Sequence, residues 1–188
     1  MARVSARDRL LAAAERRFYS DGVNATGIDA ITAEAGVAKM SLYNNFASKA
    51  DLVSAYIEHR HTEWLALLDA RTALAANDRD RVLAVFDAYL DHANDDYPNG
   101  FRGCGLLNAA AEFPAGDPGR AAVRAHKEEV ERILIERIAP IAGPAAAPGL
   151  AEHFSFLLEG AVARAGLAGS PDLLLRARGI AERMLEVV

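Results

Sequence analysis

The sequence predicts an all-α protein in which a small N-terminal three-helix unit is followed by a larger helical domain. Three observations predict it. Apolar residues recur at three- and four-residue spacing in segment after segment of the 188-residue chain. Hydrophobic content is 52%, much of it Ala and Leu, with only 7% aromatic residues, which favours helix. And the stretch Thr26 to Asp51 reads as two short helices across a tight turn, leading into a longer helix.

In chain order, Ser5 is a candidate cap for a first helix over about Ala6 to Ser20, and Asp8 can complete a capping box in place of Glu. Its apolar stripe is Leu10, Leu11, Ala14 and Phe18, with Arg7, Arg9, Arg16 and Arg17 mostly off it. Asp21-Gly22 ends it. Thr26 is a candidate cap for a second helix over Ile28 to Ala35, which Gly36 ends. A third short helix spans Ala38 to Asn45, with Leu42 directed to the core, and Ser48 can cap a fourth from about Lys49 to Leu74. A short helix, a turn containing Gly and a second short helix form a helix-turn-helix, whose second helix usually enters the DNA major groove.

The remaining elements are expected at about Arg81 to Ala93, Leu106 to Glu112, Arg120 to Ile138, Leu150 to Ala165 and Ser170 to Leu185. The Gly- and Pro-rich stretches at 95–105, 114–119 and 140–149 read as turns between them. Dense polar residues at 126–132 read as solvated surface, and His59 and His61 as helix-surface residues. The domains are expected at 1–50 and 51–188.

Net charge is −5, but it is uneven: residues 1–50 carry +2 and the rest −7. An acidic body with a mildly basic end suits a protein that meets DNA through one end only. The single cysteine, Cys104, excludes an internal disulfide and a thiolate-built zinc site. No apolar run approaches the roughly 18 residues of a membrane span, and the charged N-terminus lacks a secretory h-region, so a cytoplasmic protein is expected. No cofactor and no metal are expected. Gly-rich phosphate loops, HExxH and G-x-S-x-G are all absent from the sequence, which speaks against an enzyme and assigns no catalytic residue.

The N-terminal pattern Leu11, Ala13, Ala14, Phe18, Gly22, Thr26, Ile31, Ala35, Gly36, Val37, Leu42, Tyr43, Phe46, Lys49 and Leu52 resembles the TetR family of bacterial transcriptional regulators, with Thr32 where that family usually has Ala. The resemblance covers roughly the first 55 residues. It implies an N-terminal DNA-binding domain joined to a C-terminal domain for effector binding and dimerisation. It also implies homodimerisation through the last two helices, with the alternative that these only close the monomer's core.

Candidate DNA contacts follow. Arg3 and Arg7, near the start, can reach phosphate. Lys39, Ser41 and Asn44 are candidates for base edges, and Met40 for a thymine methyl. Thr26, Tyr43 and Lys49 resemble family positions that contact phosphate. The segment Phe101 to Pro114 resembles part of the cavity wall in one subset of the family, with Gly105 where Pro is frequent. The effector-binding candidates are Trp64, Phe86, Tyr89, Phe101, Cys104, Leu107, Asn108, Glu112, Phe154 and Leu158, which predict a mostly apolar small molecule with one hydrogen-bonding group. Cys104 also reads as a small buried hydrophobe or a redox switch. The expected function is a homodimeric repressor on a pseudo-palindromic double-stranded operator, released by a small effector. The alternatives are an activator or effector-independent regulator, and an α-helical enzyme or carrier.

Overall fold

The computed structural model describes residues 4–94, 97 and 99–188. Among these there are nine helices and no strand: α1 (Ala6–Asp21), α2 (Ile28–Ala35), α3 (Lys39–Asn45), α4 (Lys49–Thr72), α5 (Asp78–Ala93), α6 (Gly105–Ala111), α7 (Pro118–Ala142), α8 (Ala147–Ala168) and α9 (Asp172–Glu186). The chain forms two compact units. The first comprises Met1–Arg60, Tyr97–Asn99 and Gly105–Val123; the second comprises His61–Asp96, Gly100–Cys104 and Arg124–Val188. The first unit therefore extends beyond residue 50 and recruits α6 from far along the chain. No helix among the described residues is long and apolar enough to cross a membrane.

Local chemistry fixes the helix ends of the first unit. Ser5 caps α1: its hydroxyl accepts from the Asp8 amide at 3.1 Å and donates to the Asp8 carboxylate at 2.7 Å. Leu10, Leu11, Ala13, Ala14 and Phe18 are buried as the stripe requires. The cap expected from Thr26 is not made. Gly27 occupies the N-cap of α2 without a side-chain bond, and the Thr26 hydroxyl donates instead to the Gly22 carbonyl at 2.6 Å. Gly36 takes the left-handed conformation (φ 63°), and the next amide, Val37, bonds back to Thr32 O, which makes the sharp turn into α3. Ser48 and Asp51 cap α4 reciprocally, the Asp51 amide bonding Ser48 Oγ and the Ala47 amide bonding Asp51 Oδ2.

In the second unit, α9 packs on both α5 and α8. Phe86 and Phe154 meet edge to face at 5.8 Å, both fully buried. Arg178 of α9 pairs with Asp87 of α5 at 2.6 Å, and Arg71 forms a two-point pair with Asp91.

Among the boundaries that differ from the sequence expectation, four have a clear local cause. α5 begins earlier because Asn77 accepts from the Asp80 amide and Asp80 accepts from the Ala76 amide, a capping pair inside a stretch that reads as loop. α7 opens at Pro118, where a proline's missing N–H loses nothing, behind Asp117, which accepts from the Gly119 amide at 2.7 Å. α7 also runs through Pro140. That proline lies in the last turn, and Glu136, whose carbonyl loses its partner, is exposed to water. α8 correspondingly starts at Ala147, with Pro148 in its first turn.

The residues at 126 and 127 are not the solvated surface their polarity suggests. His126 is buried, with Nδ1 at 2.8 Å from Nδ1 of His61, and Trp64 meets its ring edge-on at 5.3 Å. Burial, with help from the Lys127 charge and His61, pushes its pKa down to about 3. The two Nδ1 atoms meet, but among the described residues no third ligand completes a metal site.

Two expectations follow. At Gly166, a Cβ would lie 2.4 Å from Gly103 N and 2.6 Å from Arg102 C, so Gly166→Ala should cost about 2 kcal/mol or more in chemical denaturation. His126 binds its proton in the unfolded chain near pH 6.5 but in the folded chain only near 3, so it favours folding fully above 6.5 and loses that contribution as pH falls from 6.5 to 3. His126→Gln should remove up to about one proton from the pH slope of unfolding free energy in that window.

Candidate nucleic-acid interface

The site is built on α3. Its inward residue, Leu42, is completely buried, while Lys39, Met40, Tyr43 and Asn44 are exposed, Met40 at 69% and Tyr43 at 50%. At 100° per residue these four lie within an arc of about 140°, one continuous face. Ser41 is half-buried beside it, and its carbonyl accepts from the Asn45 side chain at 2.7 Å. Lys39 pairs with Asp29 at the start of α2 (2.8 Å); this hydrogen bond and the neighbouring charge raise its pKa, so it is a fixed cation on an otherwise uncharged face.

The flanking residues divide. Arg7 is exposed, its guanidinium 5.1 Å from the centre of the Phe46 ring at the end of α3. Lys49 is half-exposed at the start of α4. Thr26 is 3% exposed, and its hydroxyl is already spent on Gly22, so its side chain is turned inward. Arg3 lies outside the described residues. Arg9, Arg16 and Arg17, which read as a solvated face, are struts. Arg9 donates to the Ala35 and Gly36 carbonyls at 3.4 Å, and Arg16 and Arg17 both grip Glu34 of α2. They set the angle between α1 and the helix-turn-helix.

A further strut comes from α6. The Glu112 carboxylate accepts from the amides of Val23 and Asn24 at 2.8 and 2.7 Å, and the Asn24 side chain donates back to the Glu112 carbonyl at 3.2 Å. Gly22 beside it has φ 93°, and a Cβ there would lie 2.8 Å from Glu112 Oε1. Arg120 donates to the Ala110 and Phe113 carbonyls and closes the end of α6.

This arrangement matches known proteins. Residues 10–56 match the model of bacterial regulatory proteins of the tetR family. Across 96% of the chain and 95% of its counterpart, the structure superposes on a TetR-family transcriptional regulator from Streptomyces coelicolor at TM-score 0.85 and 33% identity. The chain belongs to the TetR family. A TetR regulatory protein from Rhodobacter sphaeroides is similar at TM-score 0.80 and 28% identity, over 95% of this chain and 97% of that one. The HTH-type transcriptional activator FasR from Mycolicibacterium smegmatis is 37% identical over 92 residues, 48% of this chain but only 41% of FasR.

For this TetR-family regulator the effector candidates do not all fall in one unit. Trp64, Phe86, Tyr89, Phe101, Cys104, Phe154 and Leu158 belong to the larger unit; Leu107, Asn108 and Glu112 belong to the first. Leu107 is 38% exposed. The Glu112 carboxylate is committed to the Val23 and Asn24 amides of the first unit, where it is a structural acceptor. Phe86, Phe154 and Leu158 are fully packed core. Trp64 and Tyr89 adjoin each other, with ring centres 5.6 Å apart. Beside them lie two residues that sequence reasoning missed, Lys127 and Glu159, paired at 2.7 Å. No local signal marks Glu159. Lys127 sits one residue after His126 in a run whose charge density hides its inward direction.

Replacing Glu112 by Gln keeps its shape but turns one acceptor into a donor facing an amide. Glu112→Gln should destabilise the protein by about 1–2 kcal/mol and accelerate amide exchange at Val23 and Asn24, read by two-dimensional NMR.

Proposed function

We propose that this regulator acts as a homodimer, reads a pseudo-palindromic operator with α3 of each subunit, and represses by occupying it until a small, mostly apolar effector binds the larger unit. The exposed α3 face, Lys39, Met40, Tyr43 and Asn44 around buried Leu42, carries the reading. Lys39, Ser41 and Asn44 are assigned base edges, Met40 a thymine methyl, and Arg7, Tyr43 and Lys49 phosphates. At Thr26 the phosphate contact passes to the backbone. The division of labour is a reading domain at the N-terminus and an effector-binding and dimerisation domain after it.

The dimer is supported by α8 and α9, which carry a groove of about 430 Å³ lined by Phe156, Leu157, Gly160, Ala161, Leu173 and Ile180. Phe156 is 67%, Leu175 52% and Ile180 39% exposed; a second copy would cover them. One helix-turn-helix contacts few base pairs, so symmetry supplies the specificity, with half-sites about 34–36 Å apart or somewhat more. α4 and α7 each run from one compact unit into the other, which gives effector binding a covalent route to the spacing. Activation is the second reading, supported by the similarity to FasR, which is named an activator.

Selection of duplexes from random DNA tests the proposal. The wild-type chain should enrich one palindrome. Lys39→Ala should change the base preference, while Tyr43→Ala, which removes a neutral phosphate contact, should weaken all sequences alike and leave the salt slope unchanged. Phe156→Glu should yield monomers in sedimentation that enrich nothing. A wild-type chain that enriches no sequence at moderate salt would overturn the assignment.

A further inference from the structure

Among the described residues of the larger unit, three buried side-chain polar atoms have no hydrogen-bond partner: Nε1 of Trp64, the hydroxyl of Ser155 and Oε2 of Glu159. Trp64 and Glu159 are linked through Tyr89 and Lys127. Trp64, itself 5% exposed, lies against Tyr89 with ring centres 5.6 Å apart. Lys127 donates to the Tyr89 hydroxyl at 3.1 Å, holds Glu159 Oε1 at 2.7 Å and lies 3.6 Å from Cys104 Sγ. Ser155 stands one turn before Glu159 on α8, on the same side of the helix. Buried indole N–H groups and carboxylate oxygens are almost always paired in folded proteins, and an unpaired cluster beside an ion pair points to something that supplies the missing partners.

The chemistry of that occupant can be read from the charges. Burial opposes the Lys127 ammonium, but the tyrosine, the thiol and the Glu159 carboxylate more than offset it, so the lysine stays charged. Burial also raises the Tyr89 phenol above its ordinary range and keeps it neutral. Lys127 and Glu159 therefore cancel, and a ligand with a whole charge would add an unpaired charge beside a pair that is only 19% and 32% exposed. An uncharged group that both donates and accepts meets the need: its hydrogen goes to Glu159 Oε2, and its oxygen accepts from Trp64 N–H. The Trp64 and Tyr89 rings, with centres 5.6 Å apart, make the surroundings aromatic and suit an aromatic body more than a polar one.

We propose that Trp64, Tyr89, Ser155 and Glu159 form a binding site for an uncharged aromatic alcohol or carboxamide, oriented by the unpaired Glu159 oxygen and the Trp64 indole. This rests on the reading of the larger unit as the one that receives an effector, and it adds the ligand class. Lys127 takes the part of an internal counter-ion, not of an anion receptor.

Trp64 is the only tryptophan in the chain, so its emission reports the site alone. The full-length protein is titrated with benzyl alcohol, benzamide, benzoate and benzylammonium, probes of one size that differ in charge. Benzyl alcohol and benzamide should shift the emission saturably, and the two charged probes should bind at least about tenfold more weakly, a difference near 1.4 kcal/mol. Glu159→Gln frees the Lys127 charge and should reverse the order in favour of benzoate. Trp64→Phe, followed by saturation-transfer NMR on the probe, should weaken benzyl alcohol at least about threefold while leaving the fold intact. The wild-type ranking decides even if Glu159→Gln does not fold. Should benzoate or benzylammonium match the neutral probes, the ligand class is overturned while the effector reading stands. If no probe shifts the emission, the site is overturned, and operator selection, which involves none of these probes, is unaffected.

Discussion

The carboxylate of Glu112 holds the turn between α1 and α2 by its backbone, and the geometry of the reading unit depends on that grip. Two loop amides beyond the end of α1, those of Val23 and Asn24, find their acceptor on α6. A charged acceptor for two N–H groups gives stronger and shorter bonds than a neutral one. With this turn held, Thr26 can place its hydroxyl on the Gly22 carbonyl, and α2 leaves at a fixed angle. α3 then presents Lys39 and Tyr43 outward because Leu42 has only one place to go. A helix-turn-helix has too few buried residues to set its own angles, so it borrows from the helices around it.

The same economy explains where the positive charge goes. Most arginines of α1 are used inside the unit, on Glu34 and on the carbonyls at the turn. Few described cations remain for phosphate: Arg7, Lys39 and Lys49, of which Lys39 already shares its charge with Asp29. On the proposed reading, each subunit offers DNA a small electrostatic grip, and specificity rests on base contacts and on symmetry more than on net charge. The overall charge of −5 is compatible with DNA binding for this reason.

The N-terminal unit was readable from the sequence because its determinants are local. Ser5 with Asp8, Gly36, and Ser48 with Asp51 act within one helical turn, and the Leu42 and Phe46 spacing shows the buried side. Other features needed the third dimension. Glu112 sits four residues after Asn108 on an otherwise apolar helix, which reads as a polar pair facing a cavity; only the approach of Val23 and Asn24 shows what it binds. His126 and Lys127 are lost among charges because helical position, not composition, decides which of them turn inward. Thr26 failed as a cap for a simpler reason, since Gly27 intervenes and the hydroxyl found a carbonyl closer at hand. Asp117-Pro118 carried a legible start signal, but the glycines around it outweighed it.

The bare contact between Gly103 and α8 has a mechanical meaning. Where side chains separate two elements, rotamer changes absorb small displacements. Here main chain meets main chain, Gly103 against Val162 and Gly166, with nothing compressible between them. Such a joint has no backlash: α8 cannot shift by even a fraction of an ångström without carrying residue 103 along. The next residues are Cys104, beside Lys127, and Gly105, the first residue of α6. A bearing of this kind transmits small motions faithfully, and it is rigid because two side chains were left out.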